Sequence, residues 1–326
     1  MEEKTIKTKY KRPFLIYRIH SEEAYHYAIS IAQFILTNYE TETIYVEHLE
    51  EINEKIIFPN DLQLQEKNKN KFEKFEIQKE NSDLCIILGG DGCCLWANIL
   101  YESKDRPPFI TFHLGFLGYL AIYEIKKYQE VISELYTSDK YIYEKRKLIE
   151  CQVFQEEKEN KEPTRIKTMH SLNEILVERG ESMKMLGLDV YLDNEPLTRV
   201  FSDGLIFSSS TGSTAYNLSA GGPLLNYDVE AMVVTAICPF SLSFRPLVLP
   251  PTVKMKLKSL KGYPHPSLTK DGNSRMYLEE NQYAEVYLSQ KYINFIILDK
   301  FIKNRVQLWK DKIIDSLGWN SAFKHY

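Results

Sequence analysis

The sequence predicts two domains: an N-terminal α/β domain with a Rossmann-like parallel sheet, then a β-rich, sandwich-like domain. Three observations carry this. First, five apolar residues, Leu84–Leu88, stop abruptly at Gly89-Gly90-Asp91-Gly92, and Cys93–Leu100 follows with neither Gly nor Pro. That reads as strand, tight turn and helix start. Second, strand-like and helix-like stretches alternate up to about residue 125, the pattern of a doubly wound parallel sheet. Third, from residue 126 to about 300 the chain is a series of short β-rich runs separated by turns such as Asp193-Asn194 and Asp271-Gly272.

Taken in order, Pro13–Ile19 is the first strand. Ser21 offers a helix N-cap, with Glu22 and Glu23 placed to suit the helix dipole. Ala24, Ala28, Ile31 and Ile35 then mark a helix packed on the sheet, and Thr43–Leu49 is a second strand. The charge-dense run Lys67–Glu76 reads as a solvated loop or frayed helix. Leu84–Leu88 and Phe109–His113 are the third and fourth strands, and Ile125–Tyr136 is a helix. The β-rich part offers Leu148–Phe154, Ile175–Glu178, Leu188–Leu192, Leu205–Ser208, Met232–Ile237, Val253–Leu257, Ala284–Leu288 and Asn294–Ile297. Between the first two, Glu156–Glu162 reads as an acidic hairpin tip. A last amphipathic helix, Gln307–Leu317, should end at Gly318. The expected division is 1–125, 126–300, and a segment 301–326 whose helix packs back on the first domain.

Composition narrows the function. The 326 residues carry a net charge of −4, 44% are hydrophobic and 26% charged, which is ordinary for a soluble globular chain. That balance leaves no electrostatic footprint for nucleic acid. No apolar run approaches the roughly eighteen residues of a membrane span. The basic N-terminus (Lys4, Lys7, Lys9, Lys11, Arg12) lacks the apolar core of a secretory signal and reads as a solvated tail. Five cysteines, none in C-x-x-C spacing, suggest neither a disulfide framework nor a zinc site. A reducing cytoplasm is the expected location.

The chemistry concentrates in two stretches. A glycine turn between a strand and a helix leaves backbone N–H groups free for phosphate oxygens. Asp91 brings a negative charge into that place. Its tasks there are to hold a metal ion beside phosphates or to take a proton from an attacking hydroxyl, both of which point to phosphoryl transfer. The same four residues also serve as a plain turn, with Asp91 capping the next helix. The second stretch is Ser208-Ser209-Ser210-Thr211-Gly212-Ser213-Thr214-Ala215-Tyr216, closed by Ser219-Ala220-Gly221-Gly222-Pro223. Six hydroxyls in seven residues make either a donor-rich wall for polyol and phosphate oxygens or a Ser/Thr-rich surface loop. Asn173-Glu174 and Asp203-Gly204 place acceptors at strand ends, as ligand contacts or as turn residues. Arg245 suits either a phosphate or a carboxylate across the domain junction, and the ion pair is the expected one.

Together these stretches resemble the NAD kinase family. The chain reads GGDG at 89–92, FHLGFLGYL at 112–120, LNE at 172–174, SDG at 202–204, TGSTAY at 211–216 and SAGGP at 219–223. ICPFSLSFRPLVLP follows at 237–250, a second DG at 271–272 and LGWN at 317–320. GGDG is shared with diacylglycerol kinases, sphingosine kinases and phosphofructokinases; TGSTAY with the Asn-Glu pair is far more specific. The FHLG spelling is closer to eukaryotic members. The resemblance implies NAD bound between the two domains and phosphorylation of its adenosine 2′-hydroxyl by ATP, with a divalent metal ion, Mg²⁺, on the phosphates. Asp91 matches the proton acceptor, and Gly89, Gly90 and Gly92 shape its loop. Asn173 and Glu174 match adenosine contacts, and Asp203 matches a contact to the nicotinamide end. Thr211, Gly212, Ser213, Thr214, Ala215, Tyr216 and Ser219 match the dinucleotide wall; no protein metal ligand is carried over. The resemblance also implies a homo-oligomer. Departures are Cys93, where Thr is usual, SSSTGSTAY in place of STPTGSTAY, and Phe240, where His is common. The alternatives are a lipid kinase of the diacylglycerol kinase type, which leaves the hydroxyl stretch unexplained, and a non-catalytic dinucleotide sensor, which has little reason to keep Asp91.

Overall fold

The computed structural model describes residues 9–46, 72–74, 81–102, 105–115, 117–157, 161–302 and 304–319. The expectations for residues 1–8 and 47–49, most of the 67–76 run, 158–160 and 320 lie outside the described residues. The chain divides into two compact units, residues 1–144 with 293–326, and residues 145–292.

The first unit is built on a parallel sheet. Its strands are β1 (Pro13–Tyr17), β2 (Ile44–Val46), β3 (Phe72–Lys74), β4 (Leu84–Leu88) and β5 (Phe109–His113), with neighbours in the order 3-2-1-4-5. All four pairings along that order are parallel. The short β6 (Tyr123–Glu124) pairs with β5 as well. β1 and β4 are buried at every residue, which is why their sequences are continuously apolar rather than alternating. Helix α1 (Glu22–Asn38) starts where the Ser21 side chain accepts from the Ala24 N–H, and it buries Ala24, Ala28, Ile31, Ala32, Ile35 and Leu36. Helix α2 (Asp91–Leu100) follows β4 directly. A 3₁₀ turn, Ile125–Lys127, leads into α3 (Tyr128–Thr137). Residues 72–74, expected in a loop or frayed helix, form a strand instead, because pairing with β2 satisfies their backbone.

The second unit is a pair of β-sheets. One runs β14-β13-β12-β9-β16-β17, from Leu247–Leu249, Met232–Ile237, Gly204–Ser209, Glu174–Glu178, Ser267–Lys270 and Asn273–Tyr277, antiparallel throughout. The other contains β11 (Glu195–Ser202), β10 (Leu186–Leu192), β15 (Lys254–Ser259), β18 (Gln282–Leu298), β7 (Tyr141–Gln155) and β8 (Thr164–Ser171). Alternate residues of both sheets share one core, with Ile175, Val177, Phe207 and Val234 of the first meeting Leu188, Leu257, Val286 and Cys151 of the second. The turn at Asp193-Asn194 has positive φ at both residues (48° and 72°), as a tight hairpin of this hand requires.

The division differs from the composition change at residue 125. α3 belongs to the first unit, and the two unit boundaries, after residues 144 and 292, fall inside β7 and β18. A boundary inside a strand has no Gly-, Pro- or polar-rich linker to mark it. For the same reason the two predicted strands at 284–288 and 294–297 are one continuous strand, β18. Near the C-terminus, α4 (Arg305–Asp311) is capped by the Asn304 side chain and runs into a π-helical turn, Lys312–Ser316. The helix ends at Gly318 (φ 60°), whose N–H bonds to the Ile314 carbonyl as in an αL closure, while Trp319 N–H reaches Ile313.

Candidate active site

In the first unit the sheet order reverses between β1 and β4, and the carboxyl ends of such neighbours are where open α/β sheets bind ligands. The Gly89–Gly92 turn lies there. Gly89 has φ 151°, and a Cβ on it would stand 2.5 Å from Cys93 Sγ, so the turn needs glycine at that point. Cβ atoms on Gly90 or Gly92 would meet nothing within 4 Å, leaving clear ground in front of the N-terminus of α2.

Gly90, not Asp91, is the N-cap of α2, and its cap carries no side-chain bond. The Asp91 carboxylate instead reaches a loop about thirty residues on. Oδ2 accepts the Tyr119 N–H at 2.9 Å, and Oδ1 accepts those of Leu120 at 2.8 Å and Ala121 at 3.2 Å. A carboxylate has about four lone-pair positions. Among the described residues three are occupied, and the one left open is on Oδ2. Gly118 makes this approach possible, since a Cβ there would stand 2.5 Å from Asp91 Oδ1.

In the second unit a second aspartate plays a similar part. Asp271 follows β16 with φ 44° and accepts the N–H groups of Leu172 (2.8 Å), Asn173 (2.8 Å) and Glu174 (3.2 Å), together with the Ser171 hydroxyl. This fixes the Leu172-Asn173-Glu174 corner before β9. Burial drives the Asp271 carboxyl above its ordinary range despite those bonds. Glu174 is pushed up to about 8, first by burial and then by the charge of Asp271. Its Oε2 is buried without a hydrogen-bond partner among the described residues.

The hydroxyl stretch packs on the same corner. Gly212 lies so close that a Cβ would stand 2.2 Å from the Asn173 carbonyl oxygen. Ser209 Oγ donates to Leu172 O at 2.6 Å and accepts the Gly212 N–H at 3.0 Å. Ser208 donates to Ser209 O, Ser210 to Val229 O and Ser213 to Ser210 O. Thr211 accepts from Arg146, whose guanidinium lies 3.7 Å from the Tyr227 ring centroid. The expected outward wall is thus turned inward over Ser208–Ser213, because these hydroxyls meet backbone carbonyls that the turn leaves open. Thr214, Ala215, Tyr216 and Ser219 keep accessible surface. The Tyr216 phenol is raised by burial and by neighbouring charges, Glu178 foremost, with Cys238, Glu174 and Asp203 behind it.

Asp203 forms an ion pair with Arg179 at 3.0 Å and remains partly exposed. Arg245 departs from expectation: it donates to the carbonyls of Leu242 and Phe244, and among the described residues no carboxylate lies in ion-pair range. Asp271, Asn217 and Arg146 were missed as organising residues. Asn217 holds the carbonyls of Ser213 and Pro223 and accepts from Thr235. The only local signal was the Asp271-Gly272 turn, which by itself indicates a hairpin. All five cysteines are free, and among the described residues no group of three His, Cys, Asp or Glu stands ready to hold a metal ion. No described helix is long and apolar enough to cross a membrane.

Residues 14–141 match the ATP-NAD kinase N-terminal domain and residues 172–298 the ATP-NAD kinase C-terminal domain. The chain is 30% identical over 305 residues to an ATP-NADH kinase of Saccharomyces cerevisiae, covering 89% of this chain and 60% of that protein. It spans 61% of a mitochondrial NADH kinase of Schizosaccharomyces pombe, and 41% of both a mitochondrial NADH kinase and an NAD(+) kinase of Saccharomyces cerevisiae. The crystal structure of yeast NADH kinase complexed with NADH superposes with a TM-score of 0.83 at 27% identity, over 97% of this chain and 90% of that one. With NAD kinase 1 of Prochlorococcus marinus the identity is 34%, over 88% of this chain and 90% of the relative. Two domain matches in chain order and a relative matched over nine-tenths of its length place the chain in the NAD kinase family.

Proposed function

We propose that the chain phosphorylates the adenosine 2′-hydroxyl of NAD with ATP, giving NADP and ADP, with Asp91 as general base. The observation that carries this is the Asp91 carboxylate, held by three backbone N–H groups at the carboxyl end of β4 with one Oδ2 lone pair open. A base fixed in this way accepts the hydroxyl proton without first having to find its orientation. The oxygen freed of that proton attacks the terminal phosphorus of ATP, the bond to the bridging oxygen breaks, and ADP leaves. Gly90 and Gly92 leave room for phosphate at the N-terminus of α2.

In the second unit, Asn173 and Glu174 serve the adenosine, with Asp203 toward the nicotinamide end. Thr214, Ala215, Tyr216 and Ser219 provide the wall, while Thr211, Gly212 and Ser213 shape it from behind. The magnesium ion would be carried on the phosphates of ATP, as the hard oxygens of phosphate suit it. That ion supplies charge neutralisation at the transferring group. A homo-oligomer in the cytoplasm completes the reading, with NADH as a second acceptor because several relatives are named NADH kinases. The lipid-kinase alternative accounts for the Gly89–Gly92 turn but not for the C-terminal domain match at 172–298.

The test is incubation with ATP, magnesium and NAD or NADH, with NADP followed by an NADP-dependent dehydrogenase. Asp91→Asn should lower turnover by about 10²–10⁴-fold with NAD binding retained. Full turnover in that variant removes Asp91 as the base. NAD binding without any turnover in the native chain favours the sensor.

A further inference from the structure

Asp91 is held by peptide N–H groups that are themselves held from behind. Lys312, in the π-helical turn after α4, is fully buried, and its Nζ donates to the Tyr119 carbonyl at 2.7 Å. That carbonyl belongs to the same peptide group as the Leu120 N–H, which donates to Asp91 Oδ1. On the next peptide group, the buried Thr111 hydroxyl donates to the Leu120 carbonyl at 2.8 Å, and the N–H of that group is the one Ala121 donates to the same Oδ1. Trp309 Nε1 donates to the Tyr119 hydroxyl at 3.2 Å and so holds the ring between α4 and the loop. The charge of Lys312 is also felt at Cys94, three residues beyond Asp91 on α2, where it opposes the upward push of burial.

We infer that Lys312, with Thr111 beside it, is a positioning residue for the proposed base, acting on Asp91 through the 119–120 and 120–121 peptide groups. The inference rests on the reading of Asp91 as that base. A donor on an amide carbonyl draws electron density from the nitrogen and makes the opposite N–H a better donor, so chains of such bonds strengthen one another. Removing the donor behind loosens the grip in front. A packing role alone would be filled as well by methionine, which has nearly the same length and shape. A π-turn in this place adds to the argument, since such irregular turns concentrate at functional sites. The C-terminal element thereby becomes part of the phosphotransfer machinery through the loop that holds Asp91.

The test compares Lys312→Met, Lys312→Gln, Thr111→Val and Thr111→Ser with Asp91→Asn in the full chain, measuring kcat, KM for NAD and thermal melting. Lys312→Met should lower kcat by about 10- to 100-fold with KM for NAD nearly constant. Lys312→Gln, which restores a neutral donor, should recover part of that loss. Thr111→Ser should recover most of what Thr111→Val loses. A methionine variant as active as the glutamine variant, or one at native kcat, overturns the inference. If Lys312→Met does not fold, the Thr111 pair decides, and equal kcat in Val and Ser overturns it. Asp91→Asn separates the two readings. If it is fully active, the base assignment falls first; if it is inactive while Lys312→Met turns over normally, only the positioning role is lost.

Discussion

Gly118→Ala tests the placement of Asp91 without touching the carboxylate. The new Cβ would stand 2.5 Å from Asp91 Oδ1, where ordinary contact begins at about 3.4 Å, so the two must separate by about 0.9 Å. It would also lie 3.3 Å from the Ala121 Cβ, which blocks retreat on that side. The atom best able to yield is the carboxylate at the end of a short side chain. Its movement gives up bonds of 2.8 to 3.2 Å to the 119–121 loop rather than core packing. The strain should therefore appear in catalysis more than in stability. A misplacement of this size costs a reaction on the order of 10²-fold. The expected outcome in the coupled NADP assay is a kcat about 100-fold below native, with KM for NAD changed by less than about threefold. The melting temperature should fall by no more than a few degrees, as for a loss of about 1 kcal/mol. A Gly118→Ala chain that turns over at the native rate would refute the claim that this contact sets the geometry of the base.

Two further outcomes follow from the second unit. Glu174, ordinarily near 4.5, is held at about 8 in the folded chain, so the native state keeps a proton there that the unfolded state has lost. Stability should then fall as pH rises from about 4.5 through about 8. Glu174→Gln should flatten that slope in urea unfolding series at several pH values, and an unchanged slope rejects the assignment. Ser209→Ala strips two buried backbone groups, Leu172 O and Gly212 N–H, of their partner. The expected cost is about 2–3 kcal/mol by urea unfolding, and a loss below about 0.5 kcal/mol contradicts the bracing role.

The elements were legible where local physics is strong. β4 and β5 were read at their observed limits, and Ser21 and Gly318 mark helix ends because a cap or a positive φ is a property of a few consecutive residues. Boundaries were less legible where a strand continued past its apolar run, as in β7 and β18. Of the candidate site, Asp91 and the Asn173-Glu174 pair stood out as charged or polar groups at strand ends. The roles of the serines at 208–213 did not, since a hydroxyl facing a ligand and one facing a carbonyl have the same spelling.

By itself the sequence determined the strand–glycine–helix unit, the two-domain order and the succession of motifs that points to dinucleotide phosphorylation. The first two depend on periodicity or turn chemistry over a handful of neighbouring residues; the third is a resemblance to the NAD kinase family, carried by the spelling and order of the motifs. Tertiary structure alone decided what holds the reactive groups in place. Asp91 is bound by a loop 28 to 30 residues away, the Asn173-Glu174 corner by an aspartate 97 to 98 away, and Tyr119 by a lysine 193 away. Partners at such separations meet only once the sheet has brought its strand ends together, and no local pattern in the chain encodes that meeting.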